Sequence, residues 1–375
     1  MKPHKILVTG GAGFVGTHLT RALVEKGFSV RVFDNLDPQV HGIIKGRPPH
    51  LPRRAEWMKG DVRDPRAVEK AFNGVDAVFH LGAAVGVGQS MYAIRHYVDV
   101  NSLGGATVLE AIVRHRKQVK KVVVASSMSI YGEGAYRCSS CGPVAPHMRP
   151  LAQLKKKQWE FVCENCGRSL RSIPTSENKP LYPTSIYAIT KRDHEEEFLV
   201  VGESYGVPTV ALRFFNIYGP LQALSNPYTG VAAIFSSRLL NGQPPLVFED
   251  GRQSRDFIHV SDIVQGCLLA LMKPAANYTV FNVGTGRPTS VLQMAELLGD
   301  HLGMRLQPKL IHKFRAGDIR HCYADISKIK RRLGFKPRVN LKTGIRDLID
   351  WVRNQKGIDR VDTAFAELHK RGLVK

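Results

Sequence analysis

The stretch Ile6-Leu7-Val8-Thr9-Gly10-Gly11-Ala12-Gly13-Phe14-Val15-Gly16 decides the fold. Ile6–Val8 is a short apolar run of strand type, and the glycines follow it almost at once. Beyond them Val15, Leu19, Ala22 and Leu23 share one face of a helix, which Gly27 closes. A glycine triplet held between a strand and a helix has a mechanical reading. Gly10 permits the tight turn, Gly13 lets the backbone approach a ligand, and Gly16 lets helix and strand pack closely. The helix N-terminus, with Phe14 and Val15 in its first turn, offers N–H groups to an anion such as a pyrophosphate.

Working outward, Val30–Phe33, Ala77–Leu81 and Val122–Ala125 are further apolar runs that read as parallel strands covered on both faces. Helical segments alternate with them, which predicts an α/β fold with a doubly wound parallel sheet of Rossmann type. The second strand ends at Asp34, followed by Asn35. A carboxylate about 20 residues past the glycines accepts ribose hydroxyls and repels a 2′-phosphate, so NAD is expected rather than NADP. Arg31 lies inside that strand. Asp61, in Gly60-Asp61-Val62, is expected near the adenine amino group; a strand-end cap is the plain alternative for both aspartates. Leu81, Ala83 and Ala84 follow the next strand and join the cofactor set.

Tyr187 and Lys191 stand four residues apart in Tyr187-Ala188-Ile189-Thr190-Lys191, on one face of a helix. A tyrosine near pKa 10 is a poor base at neutral pH, and a lysine one turn away together with a positive nicotinamide is expected to lower it. Ser127 ends the fourth apolar strand, within Ser126-Ser127-Met128-Ser129, where its hydroxyl reaches a substrate oxygen. A lone Tyr/Lys pair is usually surface decoration. Behind a dinucleotide motif and a serine-rich strand end, it reads as a catalytic set.

With Gly10, Gly13, Gly16, Asp34, His80-Leu81-Gly82-Ala83-Ala84, Ser127 and Tyr187-x-x-x-Lys191, the chain resembles the extended short-chain dehydrogenase/reductase family. Arg213-Phe214-Phe215-Asn216-Ile217-Tyr218-Gly219-Pro220, Arg255-Asp256-Phe257-Ile258-His259-Val260 and Phe281-Asn282-Val283-Gly284-Thr285-Gly286 continue the resemblance, which is to nucleotide-sugar epimerases. It implies Ser127, Tyr187 and Lys191 as catalytic residues and Asn101 as a residue positioning the cofactor or the Tyr–Lys pair. It also implies substrate contacts from Val85, Ser129, Asn216, Val231, Arg255, Arg315 and Asp318. The implied reaction is NAD-dependent C4 epimerisation through a 4-keto sugar. Dehydratases of the family carry an Asp-Glu pair where this chain has Met128-Ser129, so elimination is not expected. UDP-galactose 4-epimerases typically have a lysine where this chain has Val85. The loop Val85–Ser90, the segment Asn226–Val231 and the cysteine insertion are similar to dTDP-L-rhamnose 4-epimerases, which form dTDP-6-deoxy-L-talose; UDP-glucose/UDP-galactose epimerisation is the alternative. A rival of another class is a non-catalytic NAD-binding scaffold or sensor, which has no need of Ser127, Tyr187 and Lys191.

Residues 133–180 interrupt the α/β pattern. They hold Cys138-x-x-Cys141 and Cys163-x-x-Cys166, 21 residues apart and each followed by glycine. Such knuckles predict a zinc ribbon closed around one structural Cys₄ zinc, with Trp159 and Phe161 as a small core. Cys267 and Cys322 read as core thiols. The expected organisation is an NAD-binding domain over 1–215 and 250–285, with the ribbon at 133–180 inside it. A substrate-binding lobe is expected over 216–249 and 286–375, its C-terminal part, Asp359–Lys375, a short basic helix.

The net charge of +22 raises the question of nucleic acid, but the 54 Lys and Arg residues are spread along the chain and no aromatic-interleaved basic motif appears. A basic enzyme of phosphate-bearing substrates is the expectation, with no nucleic-acid partner. No apolar run approaches the roughly 18–20 residues of a membrane span. A soluble, cytoplasmic protein with no membrane association is expected. By resemblance, helices around Asn101–Arg114 and Tyr187–Tyr205 pair into a homodimer.

Overall fold

The computed structural model describes residues 4–304, 306–355 and 357–375. Among these, seven strands form a parallel sheet in the order Thr279–Val283, Thr209–Phe214, Lys121–Ser127, Ala77–His80, Lys5–Thr9, Ser29–Asp34, Glu56–Lys59. Building starts at Lys5–Thr9, runs one way through the next two strands, then resumes on the other side with Ala77–His80. That is the doubly wound arrangement. Successive residues of one strand enter opposite cores: Ile6 and Val8 one, Leu7 the other. This two-sided burial is why the strands read as unbroken apolar runs.

The helix Phe14–Glu25 buries Leu19 and Leu23 as its periodicity requires. The helix Ile186–Ser204 begins at Ser185, whose hydroxyl accepts the Ala188 N–H at 3.1 Å. The helix expected from Asn101 starts earlier and in another form. A π-helical segment, Val98–Leu103, carries Asn101 before regular helix resumes over Gly104–Arg114. Such bulges turn a side chain toward a site that straight helix would miss.

A buried lattice ties the helix Ile186–Ser204 to the sheet. Arg213 pairs with Glu195, and Ser126 Oγ donates to the same carboxylate at 2.7 Å. Arg213 also donates to the Tyr131 hydroxyl at 2.7 Å, and Tyr131 donates to Asn282 Oδ1 at 2.7 Å.

Residues 133–180 hold a three-stranded antiparallel sheet, Gly142–Val144, Ala135–Cys138 and Arg171–Ile173. Tyr136, Phe161 and Leu170 form its core. Trp159 does not join them: it packs with Leu154 and Phe314, fastening the insertion to the body. Charge fastens it further. Arg149 donates twice to Glu249, at 2.9 and 2.8 Å. Fully buried Arg320 meets Glu249 at 2.9 Å and Asp250 at 2.6 Å, and also bonds Glu160 of the insertion.

A third core packs the helices Val231–Leu240, Val291–Leu302 and Leu341–Val352. The C-terminal helix is shorter than expected, Val361–Lys370. Gly372, at φ +69, turns the tail back, so that Lys375 exchanges backbone hydrogen bonds with Phe314 at 3.0 Å. Cys267 and Cys322 are buried. Among the described residues no helix is long and apolar enough to cross a membrane.

Candidate active site

The sheet's reversal opens a crevice beyond the carboxyl ends of Lys5–Thr9 and Ala77–His80, where sheets of this kind bind ligands. Gly10 has φ +65, and a Cβ there would lie 2.7 Å from the Gly82 nitrogen. A Cβ on Gly16 would lie 2.2 Å from the Gly10 carbonyl oxygen. Neither position admits a side chain. Gly13 starts the helix Phe14–Glu25 with no side-chain cap, which leaves the leading N–H groups to an anion.

One cavity of about 1040 Å³ runs from these glycines to the far arginines. Its walls include Phe14, Val15, Asp34, Asn35, Val62, Leu81, Ala83, Ala84, Val85, Ser127, Ser129, Tyr187, Lys191, Asn216, Val231, Arg255, Arg315 and Asp318. Two residues expected at the site stand behind its walls. Asn101 is fully buried, accepts the Ala84 N–H at 2.8 Å and donates to Thr190 Oγ1 at 2.9 Å. It joins the loop after Ala77–His80 to the Tyr187 helix. Asp61 is gripped by Arg63 at 2.9 and 2.8 Å and accepts from Asn35 Nδ2 at 3.0 Å. Those bonds, led by Arg63, hold its carboxyl far below the usual range. An adenine amino group would share that carboxylate with Arg63.

Asp34 accepts the Ala12 and Leu36 N–H groups at 3.1 and 2.9 Å, bracing the glycine turn and still having lone pairs for a ribose. Arg31 is engaged by Glu56 at 2.9 Å and by the Ala71 carbonyl at 2.7 Å, so it does not serve a 2′-phosphate. The glycine clearances, the uncapped helix and the Asp34 carboxylate together fit NAD.

Around the expected catalytic set the electrostatics are those of a dry pocket. Ser129 donates to Ser127 Oγ through its hydroxyl at 2.9 Å and its N–H at 3.2 Å, so the Ser127 proton is left to point into the cavity. Lys191 Nζ donates to the Ala125 carbonyl at 2.9 Å and lies 3.4 Å from His194 Nδ1. His194 Nε2 lies 2.7 Å from the Asn101 carbonyl, an acceptor, so Nε2 carries the proton. Burial pushes the Lys191 ammonium down to about 7 and keeps His80 and His194 neutral. Tyr187 departs from expectation. In the protein alone burial raises its pKa, and the neighbouring Ser127 hydroxyl only partly opposes this. A positive nicotinamide would add to Lys191 in favouring the phenolate.

At the far end Asp318 lies between two guanidinium groups, 2.8 Å from Arg315 and 3.3 Å from Arg255. Burial opposes its ionisation, but these arginines hold its carboxyl below the usual range. Asp318 thus aims the arginines. Asn216 Oδ1, Gln222 Oε1 and Gln253 Oε1 are buried in cavity-lining residues without a hydrogen-bond partner among the described residues. Such atoms wait for a ligand's donors. Gln222, Gln253 and Phe248 were not picked out from sequence, because a glutamine's pairing is set by the fold rather than by its neighbours.

The Lys191 shift has a sign that can be measured. An unfolded lysine keeps its proton to 10.5, this one to about 7. Between those values the unfolded chain binds more protons, so this residue's penalty is full below pH 7 and fades as pH rises. In cofactor-free protein, urea unfolding of wild type and Lys191→Met should show the variant's relative advantage shrinking from pH 7 to pH 9.5. A difference that does not change with pH would contradict the buried lysine's lowered pKa.

Comparison with known proteins agrees with this geometry. Residues 6–153 match the "NAD dependent epimerase/dehydratase family", and residues 167–348 match "GDP-mannose 4,6 dehydratase". The chain is 34% identical to a dTDP-L-rhamnose 4-epimerase of Burkholderia thailandensis, covering 94% of this chain and 95% of that one. Among solved structures it is similar to a Thermotoga maritima UDP-glucose 4-epimerase with UDP-glucose, at TM-score 0.75 and 31% identity, covering 93% and 98% of the two chains. It is also similar to a Thermus thermophilus UDP-glucose 4-epimerase in complex with NAD, at TM-score 0.73 and 29% identity, covering 94% and 100%. Likeness along nearly the whole chain, joined to an NAD-fitting crevice, settles the family: the chain belongs to the NAD-dependent epimerase/dehydratase family of extended short-chain dehydrogenases, among its nucleotide-sugar epimerases.

Proposed function

We propose that the chain interconverts dTDP-L-rhamnose and dTDP-6-deoxy-L-talose, with Tyr187, Ser127 and Lys191 as its catalytic residues. The observation that carries the catalytic part is the single cavity joining Ser127, Tyr187 and Lys191 to Asn216, Arg255 and Arg315. The substrate part is supported by the 34% identical relative and by apolar Val85 and Val231 in the cavity wall. Met128, at the place of a dehydratase carboxylate, is buried and has no acid–base function to offer.

In this reading Arg255 and Arg315, aimed by Asp318, bind the diphosphate; guanidinium forks suit phosphate oxygens. Asn216 Oδ1 accepts a hydroxyl or amide proton of the ligand. NAD, when bound, supplies a reversible hydride acceptor and a positive ring beside Tyr187. Tyr187, as a phenolate stabilised by the Lys191 ammonium, takes the proton of the sugar C4 hydroxyl and becomes the neutral phenol, while Ser127 donates a hydrogen bond to the same oxygen. After the 4-keto sugar presents its other face, Tyr187 returns the proton.

Incubation of pure protein with a panel of dTDP- and UDP-sugars tests both parts. Turnover of dTDP-L-rhamnose is expected, and Tyr187→Phe should lose roughly 10²–10⁴-fold in kcat, the size of general acid–base contributions, while keeping NAD. Turnover of UDP-glucose alone would move the substrate to the UDP-hexoses, as the Thermotoga maritima likeness would have it. A Tyr187→Phe variant as active as wild type would remove Tyr187 from the mechanism.

We further propose that the insertion is a zinc ribbon. Sγ atoms of Cys138, Cys141, Cys163 and Cys166 all lie within 4.8 Å of one another, and Gly142 and Gly167 have the positive φ of knuckle turns. Tetrahedral zinc at about 2.3 Å from each sulfur needs sulfurs roughly 3.8 Å apart. Elemental analysis should find about one zinc per chain. Chelation or Cys141→Ser should lower the melting temperature without displacing NAD. Metal-free protein of equal stability would refute the ribbon's metal.

A homodimer is proposed through the two expected helices. Val98, Leu103, Ile189 and Val200 are exposed there, at 42–63% each, an apolar face that a second copy would cover. Sedimentation should give a dimer, and Leu103→Glu with Val200→Glu a monomer. A monomeric wild type would end this assignment.

A further inference from the structure

The C-terminal helix Val361–Lys370 is fixed at both ends across the mouth of the cavity. At its start Arg238 pairs with Asp359 at 3.3 Å and Asp362 at 2.9 Å. At its end the tail adds to the segment carrying Arg315: Ala316 N–H donates to the Leu373 carbonyl at 2.8 Å, and Phe314 and Lys375 bond reciprocally. Between these anchors Val361, Ala364, Phe365 and Leu368 line the cavity. The helix spans two sides of it. On one side, a Cβ built on Gly88 would lie 3.6 Å from Leu368 Cδ1, and Arg371 stacks 4.3 Å over the Tyr92 ring. Toward the arginines, the Phe365 ring centre is 6.1 Å from that of Phe248, which the Arg315 guanidinium covers at 4.6 Å.

We infer that this helix is the outer wall of the substrate cavity and that Phe365 is a nucleotide-binding residue, its ring and that of Phe248 forming the surface on which the nucleobase packs. The assignment rests on the nucleotide-sugar reading above and deepens it. Three observations converge. Phe365 lines the cavity and stays partly exposed although its helix is anchored at both ends, with the Lys313 ammonium 5.5 Å over its ring. It lies one aromatic ring beyond Arg315, which in that reading holds the diphosphate, and a nucleobase lies beyond the diphosphate from the sugar. Its partner Phe248 is already stacked by Arg315, so phosphate and base would be held by one continuous surface. Leu368, one turn further along the same face, meets the loop Val87–Ser90.

The test is titration of wild type, Phe365→Ala, Phe365→Tyr and a chain ending at Asp359 with free dTDP and with UDP, beside KM and kcat for the sugar nucleotide and affinity for NAD. Loss of a base-stacking aromatic should weaken dTDP binding and raise KM roughly tenfold, as stacking on a base commonly contributes. In Phe365→Ala, kcat and NAD affinity should stay within about twofold, which also shows that the variant is folded. Phe365→Tyr should retain wild-type binding, and the shortened chain should lose at least as much dTDP affinity as Phe365→Ala. Wild-type dTDP binding in Phe365→Ala and the shortened chain would overturn the inference and leave the nucleotide-sugar reading standing. A wild type that binds neither dTDP nor UDP would overturn both.

Discussion

Everything in the molecule is arranged around a backbone crossing that leaves no room for a Cβ. Gly10 approaches Gly82 from the neighbouring strand end, and Gly16 approaches Gly10 from the helix. The sheet could reverse its direction of growth without this, but the crevice so formed would be filled by side chains. With glycine at these points the helix N-terminus reaches the crevice, and its N–H groups become a seat for phosphate. The Tyr187 helix lines the same cavity as these glycines.

Holding that helix is a matter of buried polar satisfaction. Glu195 takes Arg213 and Ser126; Asn101 takes the Ala84 N–H and reaches Thr190. Each removes a segment's freedom to slide, and each would leave a stranded charge or amide if a partner were lost. The tyrosine and lysine they position are both disfavoured in their ionised forms by the same dryness. Burial of this kind makes the ionisation of Tyr187 responsive to any cation placed beside it.

The elements legible in the sequence were those whose signal is local. Glycines between a strand and a helix, Asp34 at a strand end, and Tyr187 with Lys191 one turn apart could be read because their neighbours in sequence are their neighbours in space. The cysteine knuckles were legible for the same reason, and their four sulfurs do converge. What could not be read depended on distant partners. The sequence does not show that Asp61 is already engaged by Arg63 and Asn35. Trp159 has the composition of a ribbon core residue, yet Phe314, far along the chain, draws it away. Asn101 carried a helical pattern, but no periodicity announces a π turn. Phe365 sits in a short amphipathic segment of ordinary appearance, and only the tail's return to Phe314 brings it to the cavity.

The shared carboxylate of Glu249 has a structural corollary. Arg149 of the insertion and Arg320 of the body both depend on it, in an interior that water does not reach. Excising the insertion would take away Arg149, and with Glu160 one of Arg320's own partners, in a single event. Glu249 would be left to Arg320, and Arg320 to Glu249 and Asp250, so a buried contact would have to be rebuilt. The insertion is in this sense part of the body's charge network rather than an appendage that lifts off cleanly.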